Sequence, residues 1–213
     1  MELLAWLLAF VTAITIHEAS HAYMADRLGD PTAKLMGRLS LNPIVHYDPV
    51  GTTMLLVLIF MRLVLQLPVI PFGWAKPVQV DPYNLKNPRK DSALISLAGP
   101  ASNIIFAVLL SLILRLLHVF SVEITFLTAL FIPTILLSIS LAIFNLIPVH
   151  PLDGGKIFVG LLPENEAKDA ELFLRRYGII ILFLLIFPTF GGASPISLFM
   201  SPVVNFFFNV LIP

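Results

Sequence analysis

The sequence predicts an all-α polytopic membrane protein. About five to six transmembrane helices are expected, with a short extended or hairpin element and a re-entrant or interfacial segment after the first helix. Three observations carry this. Of 213 residues 58% are hydrophobic and only 12% charged, with a mean hydropathy of +0.93; a soluble domain carries about twice that share of charge. Long apolar runs and 17 phenylalanines suit helical spans. No residue-by-residue alternation of the kind a lipid-facing barrel needs is present.

The first span runs from Glu2 to Ala25 and is closed by Asp26-Arg27-Leu28-Gly29-Asp30-Pro31, where a glycine and a proline past the last apolar turn stop the helix. Residues 33 to 46 place Leu35, Gly37, Leu39 and Leu41 in alternation with other residues, a strand-like pattern with Gly37 at a turn or kink. Gly51 to Leu67 is apolar but contains Arg62, and Pro68, Pro71, Gly73 and Pro77 follow. After a wet basic loop at 85–91 come apolar segments at Ser92–Leu117, Val122–Ile147, Tyr177–Phe187 and Ile196–Ile212. The chain reads as a single membrane-embedded domain over 1–213, with a core of about 1–155 and further membrane segments at about 177–213. No cleavable signal peptide, internal repeat or inserted peptide-binding module is expected.

Net charge is zero, which argues against a nucleic-acid partner. The absence of cysteine excludes disulfides and thiolate ligands, so any metal must rest on His and carboxylate groups.

His17-Glu18-Ala19-Ser20-His21 lies inside the first apolar helix. Residues four apart share a helix face, so both imidazoles can converge on one ion, with Glu18 about 100° around the axis. This H-E-x-x-H spacing supplies two nitrogen ligands for zinc and a carboxylate placed to take a proton from bound water. Such groups are costly to leave unpaired in lipid. Catalytic zinc usually takes three protein ligands and keeps one open position. Asp153 is a candidate for the third, although Asp153-Gly154 also reads as an ordinary turn.

Three motifs together resemble those of the site-2 protease family of intramembrane zinc metalloproteases. They are His-Glu-Ala-Ser-His at 17–21, Gly99-Pro100-Ala101-Ser102-Asn103, and Asn145-x-x-Pro148-x-x-x-Leu152-Asp153-Gly154. The resemblance covers about Leu3 to Gly155. It implies that His17, His21 and Asp153 bind one zinc ion per chain, that Glu18 is the catalytic base, and that Asn103 and Asn145 help hold the substrate backbone, the alternative for each asparagine being a polar link between helices. His150 stands where many relatives have proline and is a rival ligand by proximity. Asp153 is retained because Pro151 restricts the local geometry and the motif centres on the aspartate. His46 and Asp48 are expected either as ordinary loop residues or as a gate or shaping shell over the ion. Residues 67–80 are expected either as a lid or access gate or, through Trp74, as an interfacial anchor.

If all six apolar segments crossed, the first and fourth would run in opposite directions and place the ligands near opposite faces of an apolar layer about 30 Å thick. If Gly51 to Phe72 instead starts and ends on one side, the two helices run parallel and the ligands meet. In that arrangement twelve of thirteen basic residues lie inside, with only Arg115 outside; six full crossings give eight to four with Arg62 left in the bilayer. The positive-inside rule favours the former, as does the cost of about 3 kcal/mol for a mid-bilayer arginine. The expectation is therefore five full spans and one partial element, with the site opening to the cytoplasmic side of the cell membrane. Substrates would be transmembrane proteins, and Leu35–Leu41 is a candidate strand to pair with them. A homo-oligomer or a regulatory membrane partner is left open. The competing readings are a non-catalytic metal-binding or transport protein, for which Glu18 has no use, and a structural subunit without metal.

Overall fold

A computed structural model describes residues 2–63, 65–66, 73–120, 125–188 and 194–212. The described residues form helices and no strand. They are α1 (Glu2–Leu28), the single turns α2 (Thr32–Leu35) and α3 (Pro43–His46), α4 (Pro49–Leu63), α5 (Pro88–Val119), α6 (Thr125–Asn145), α7 (Asp153–Leu161), α8 (Glu164–Ile186) and α9 (Pro195–Leu211). Leu3–Leu28, Pro88–Val119 and Thr125–Asn145 are long and apolar enough to cross a membrane, and α9 is a shorter apolar helix. The chain is thus a membrane protein built on helices.

The sequence explains how α1 and α5 come together. On α1, Ala9, Ala13, His17, His21 and Ala25 recur every four residues and all are buried. On α5, Ile95, Gly99, Asn103, Ala107 and Ser111 do the same. Rows of this spacing are the ridges that interlock when helices cross, and small residues in them let backbones approach where lipid offers no hydrophobic drive. His21 meets Ile95 and His17 meets Asn103, while Leu8 and Thr12 share a cleft with Phe106 and Leu110. Hence α5 runs antiparallel to α1. Leu130, Phe131 and Thr134 of α6 line the same cleft, and α6 ends towards the Asp153 turn, so α6 runs parallel to α1. The chain leaves α1 and enters α5 at one end of this core.

At the opposite end, Ala107, Leu110 and Leu114 pack with Ile135, Ile139 and Ile143 of α6 and Val204 of α9. There the Ser111 hydroxyl donates to the Leu211 carbonyl, and Arg115 donates to the Val210 carbonyl at 2.5 Å, satisfying groups at the end of α9.

Two expectations meet a different structure. The strand-like stretch at 33–46 forms α2 and α3 joined by a bend, not a hairpin. Its leucines do not define a buried face: Leu35 and Leu41 are 81% and 72% exposed. The buried residues there are Ala33, His46 and Arg38, and the Arg38 guanidinium donates to the Val45 and Lys76 carbonyls. Curling the chain around that cation brings carbonyl oxygens to its Nη1, and Gly37, at φ +72°, takes the left-handed turn this requires. Tyr177–Phe187 is not a separate helix. It continues α8 from Glu164, because nothing between Arg176 and Tyr177 breaks the helix, and the charges of the first half ride with it. Of the segment expected to be re-entrant, residues 51–63 belong to α4; residues 67–72 lie outside the described residues. Gly51 in α4 packs so closely on Trp74 that a Cβ would lie 2.3 Å from its carbonyl oxygen.

Candidate metal centre

Helical spacing puts His17 and His21 on the face of α1 turned to α5, with their rings 4.6 Å apart and nearly perpendicular. They are 4% and 8% exposed. Gly99 makes room for both: a Cβ there would lie 2.6 Å from His21 Cε1 and Nε2 and 2.7 Å from His17 Cε1.

Asp153 opens α7, and the turn before it is built by close approach. A Cβ on Gly154 would fall 2.2 Å from the Ile147 carbonyl oxygen, and one on Gly178 of α8 would fall 2.4 Å from that of His150. The result sets Asp153 Oδ2 at 3.1 Å from Nε2 of both His17 and His21. Burial alone would raise the Asp153 carboxyl, but with their Nε2 atoms protonated His17 and His21 outweigh it by hydrogen bonds and charge and hold the group well below the usual carboxylate range.

The donor set fits zinc. One atom from each of His17, His21 and Asp153 lies within 4.8 Å of the others. Tetrahedral zinc with bonds of about 2.0–2.1 Å sets its ligands roughly 3.3–3.4 Å apart, close to the two observed separations. His21 Nδ1 lies 2.7 Å from the Ile95 carbonyl oxygen, to which it donates; this assigns its proton and leaves the Nε2 lone pair for a metal.

Glu18 is partly buried, and its Oε2 accepts a hydrogen bond from the Val78 backbone N–H at 3.2 Å. Among the described residues Oε1 has no protein partner. Val78 belongs to a stretch without regular secondary structure at 73–81 that is tied down at several points. Lys76 N–H donates to the His46 carbonyl at 3.0 Å, Arg38 reaches the Lys76 carbonyl, and Asp81 N–H donates to Asp30 Oδ2 at 2.8 Å. Asp30 is fully buried and also accepts from Thr32 and Asn84. Burial would raise its carboxyl, yet these bonds hold it below its ordinary value. The part of the expected lid that is described therefore lies against the glutamate.

The other candidates are placed as follows. Asn103 is fully buried, with Nδ2 3.5 Å from His17 Nδ1. Asn145 Nδ2 donates to the Leu141 carbonyl of its own helix at 3.0 Å. His46 is buried, its Nε2–H donating to the Ser40 carbonyl at 2.8 Å. Asp48 accepts from Gly51 N–H at 2.7 Å and so caps the start of α4. His150 packs on Gly178. None of Asn145, His46, Asp48 and His150 joins the His17–His21–Asp153 group. Two participants have no side-chain signal in the sequence, because the Ile95 carbonyl and the Val78 N–H are backbone groups. A third, Gly99, is visible as a glycine in a motif but not as the floor under two imidazoles.

The pattern described as Peptidase family M50 matches residues 5–187. The chain belongs to that family. Family M50 holds the site-2 proteases that the three motifs resemble, so the chain is an intramembrane zinc metalloprotease, a hydrolase whose substrates are membrane proteins. It is 39% identical over 204 residues to "Putative zinc metalloprotease YwhC" of Bacillus subtilis (strain 168), covering 93% of this chain and 84% of that protein. It is 31% identical over 183 residues to "Putative zinc metalloprotease Rip2" of Mycolicibacterium smegmatis, covering 83% of this chain and 64% of that protein. The protein of the same description from Mycobacterium tuberculosis (strain H37Rv) is 26% identical over 208 residues, covering 95% and 69%. No solved structure matches the chain.

Proposed function

We propose that His17, His21 and Asp153 hold one zinc ion and that Glu18 is the general base in hydrolysis of a peptide bond within or next to a substrate's transmembrane segment. The observation that carries this is the convergence of His17 Nε2, His21 Nε2 and Asp153 Oδ2 beside a glutamate one residue along the same helix. When bound there, zinc lowers the pKa of water towards about 7 and polarises a carbonyl oxygen. Glu18 Oε1 takes the water proton and returns it to the leaving amine, while the Val78 N–H keeps the carboxylate from swinging away. Substrate helices hide their carbonyls and must unwind to be cut, and lipid cannot satisfy the groups set free. Asn145, partly buried at the end of α6, is the side chain we assign to pairing with that backbone.

The whole chain, 1–213, acts as one membrane-embedded domain. Twelve of thirteen basic residues on one side supports a site facing the cytoplasm in the cell membrane. We assign the crossings beyond α1, α5 and α6 to α8 and α9. His46, through its carbonyl, holds the loop that carries Val78, Asp48 caps α4, and neither belongs to the group of donors for the ion.

The test is purified protein in detergent with a panel of single-span proteins, with and without chelator, comparing wild type with Glu18→Gln. Expected are stoichiometric zinc in both, chelator-sensitive cleavage by wild type, and a loss of about 10²–10⁴-fold in the variant. Undiminished cleavage by Glu18→Gln refutes the role of Glu18, and chelator-insensitive cleavage refutes the metal.

A further inference from the structure

A histidine that binds metal through one ring nitrogen almost always donates the other N–H to an acceptor, which fixes tautomer and ring orientation. His21 has such an acceptor in the Ile95 carbonyl. His17 needs one too. Its Nδ1 faces the side-chain amide of Asn103, eight residues along α5 from Ile95, at 3.5 Å.

As placed, the Asn103 amide turns its NH₂ to His17, while Oδ1 is buried with no hydrogen-bond partner. The two ends of an amide have the same shape and are assigned from their surroundings. If His17 Nε2 is a metal ligand, Nδ1 carries the proton, and two donors would face each other. Turning the amide through 180° removes that conflict and pairs the orphaned oxygen. Asn103 is fully buried, so solvent does not compete for Nδ1.

We propose that Asn103 is a positioning residue for His17: its Oδ1 accepts the Nδ1–H of that imidazole and aims Nε2 at the metal, as the Ile95 carbonyl does for His21. This rests on the zinc site proposed above. It separates Asn103 from Asn145, because a side chain engaged with His17 inside the helix pair is not free to grip a substrate. One ridge of α5 then performs three tasks at successive turns: acceptor for His21 at 95, space for both rings at 99, and acceptor for His17 at 103.

The test measures zinc affinity without substrate, by competition with a chromophoric chelator on purified protein. Asn103→Leu keeps volume and removes the acceptor; Asn103→Asp keeps the acceptor. Expected are a Kd raised about 10–100-fold in Asn103→Leu and wild-type or tighter binding in Asn103→Asp. The visible spectrum of the cobalt-loaded protein should change in the leucine variant and be restored in the aspartate variant. Wild-type zinc affinity in Asn103→Leu, with only a raised KM, overturns the proposal and returns Asn103 to substrate binding. Should Asn103→Leu fail to fold, weaker zinc binding by folded Asn103→Asp overturns it equally. Failure of wild type to bind zinc sinks the metal site itself, which is a different result.

Discussion

Gly99→Ala puts the architecture of the site to its sharpest test, because it pits helix propensity against metal binding. The added methyl would lie 2.6 Å from His21 Cε1 and Nε2 and 2.7 Å from His17 Cε1. Carbon atoms pack at about 3.5–4.0 Å, so each ring must withdraw by roughly 1 Å. Without metal the rings are ends of rotatable side chains and can do so. With metal they cannot, since ligand distances tolerate only about 0.2 Å. Overpacking of this kind costs about 1–3 kcal/mol. At about 1.4 kcal/mol per tenfold, zinc should bind some 5- to 150-fold more weakly. Meanwhile alanine favours a helix interior by about 1 kcal/mol over glycine, so metal-free protein should melt no lower than wild type. The assay is chelator competition for zinc, paired with thermal melts of the metal-free protein in detergent. A variant that binds zinc as tightly as wild type would refute the placement of Gly99 beneath the imidazoles. A variant that melts much lower even without metal would show that the glycine serves general helix packing instead.

Two further outcomes are expected. Asp30→Asn turns an NH₂ group towards donors from Thr32, Asp81 and Asn84, costing about 1–3 kcal/mol; amide hydrogen exchange at 73–84 should quicken while zinc affinity holds, and unchanged exchange would contradict the anchoring role. His150 lies below its ordinary 6.5 because of burial and then the charges of Lys156 and Arg175. Its contribution to stability is therefore complete above pH 6.5 and is lost as pH falls through the lower folded value. Melting temperature should drop in that acid window more steeply for wild type than for His150→Asn, and parallel profiles would dismiss the effect.

The parts of the site that were legible in the sequence are those where spacing translates directly into geometry. His17 and His21 are four apart on a helix, and an apolar helix with that pair has few other uses for it. Asp153 is 136 residues away from His17, and no local rule connects them; only the combined order of three motifs does. The stretch at 33–46 was misleading because alternating leucines imitate a half-buried strand. Its conformation is set instead by one buried cation, Arg38, seeking carbonyl oxygens. The Val78 N–H and the Ile95 carbonyl were beyond reach for a different reason: every residue has those groups, so nothing in the letters marks the ones that matter.

Small residues have more say over this centre than the bulky apolar ones that dominate the composition. At the far end of the core, Ile135, Ile139, Leu110 and Leu114 fill space in the ordinary way. Around the proposed metal donors the backbone itself must come close, because in lipid each polar group has to be answered from within the protein. Gly99 lets α5 approach until the Ile95 carbonyl reaches His21; Gly154 and Gly178 let the α6–α7 turn fold in until Asp153 reaches both histidines. A leucine at any of the three positions would suit the membrane as well or better. It would also hold the helices too far apart for a carboxylate from beyond residue 150 to meet two imidazoles near the start of the chain, which is why glycine is the residue this chemistry requires there.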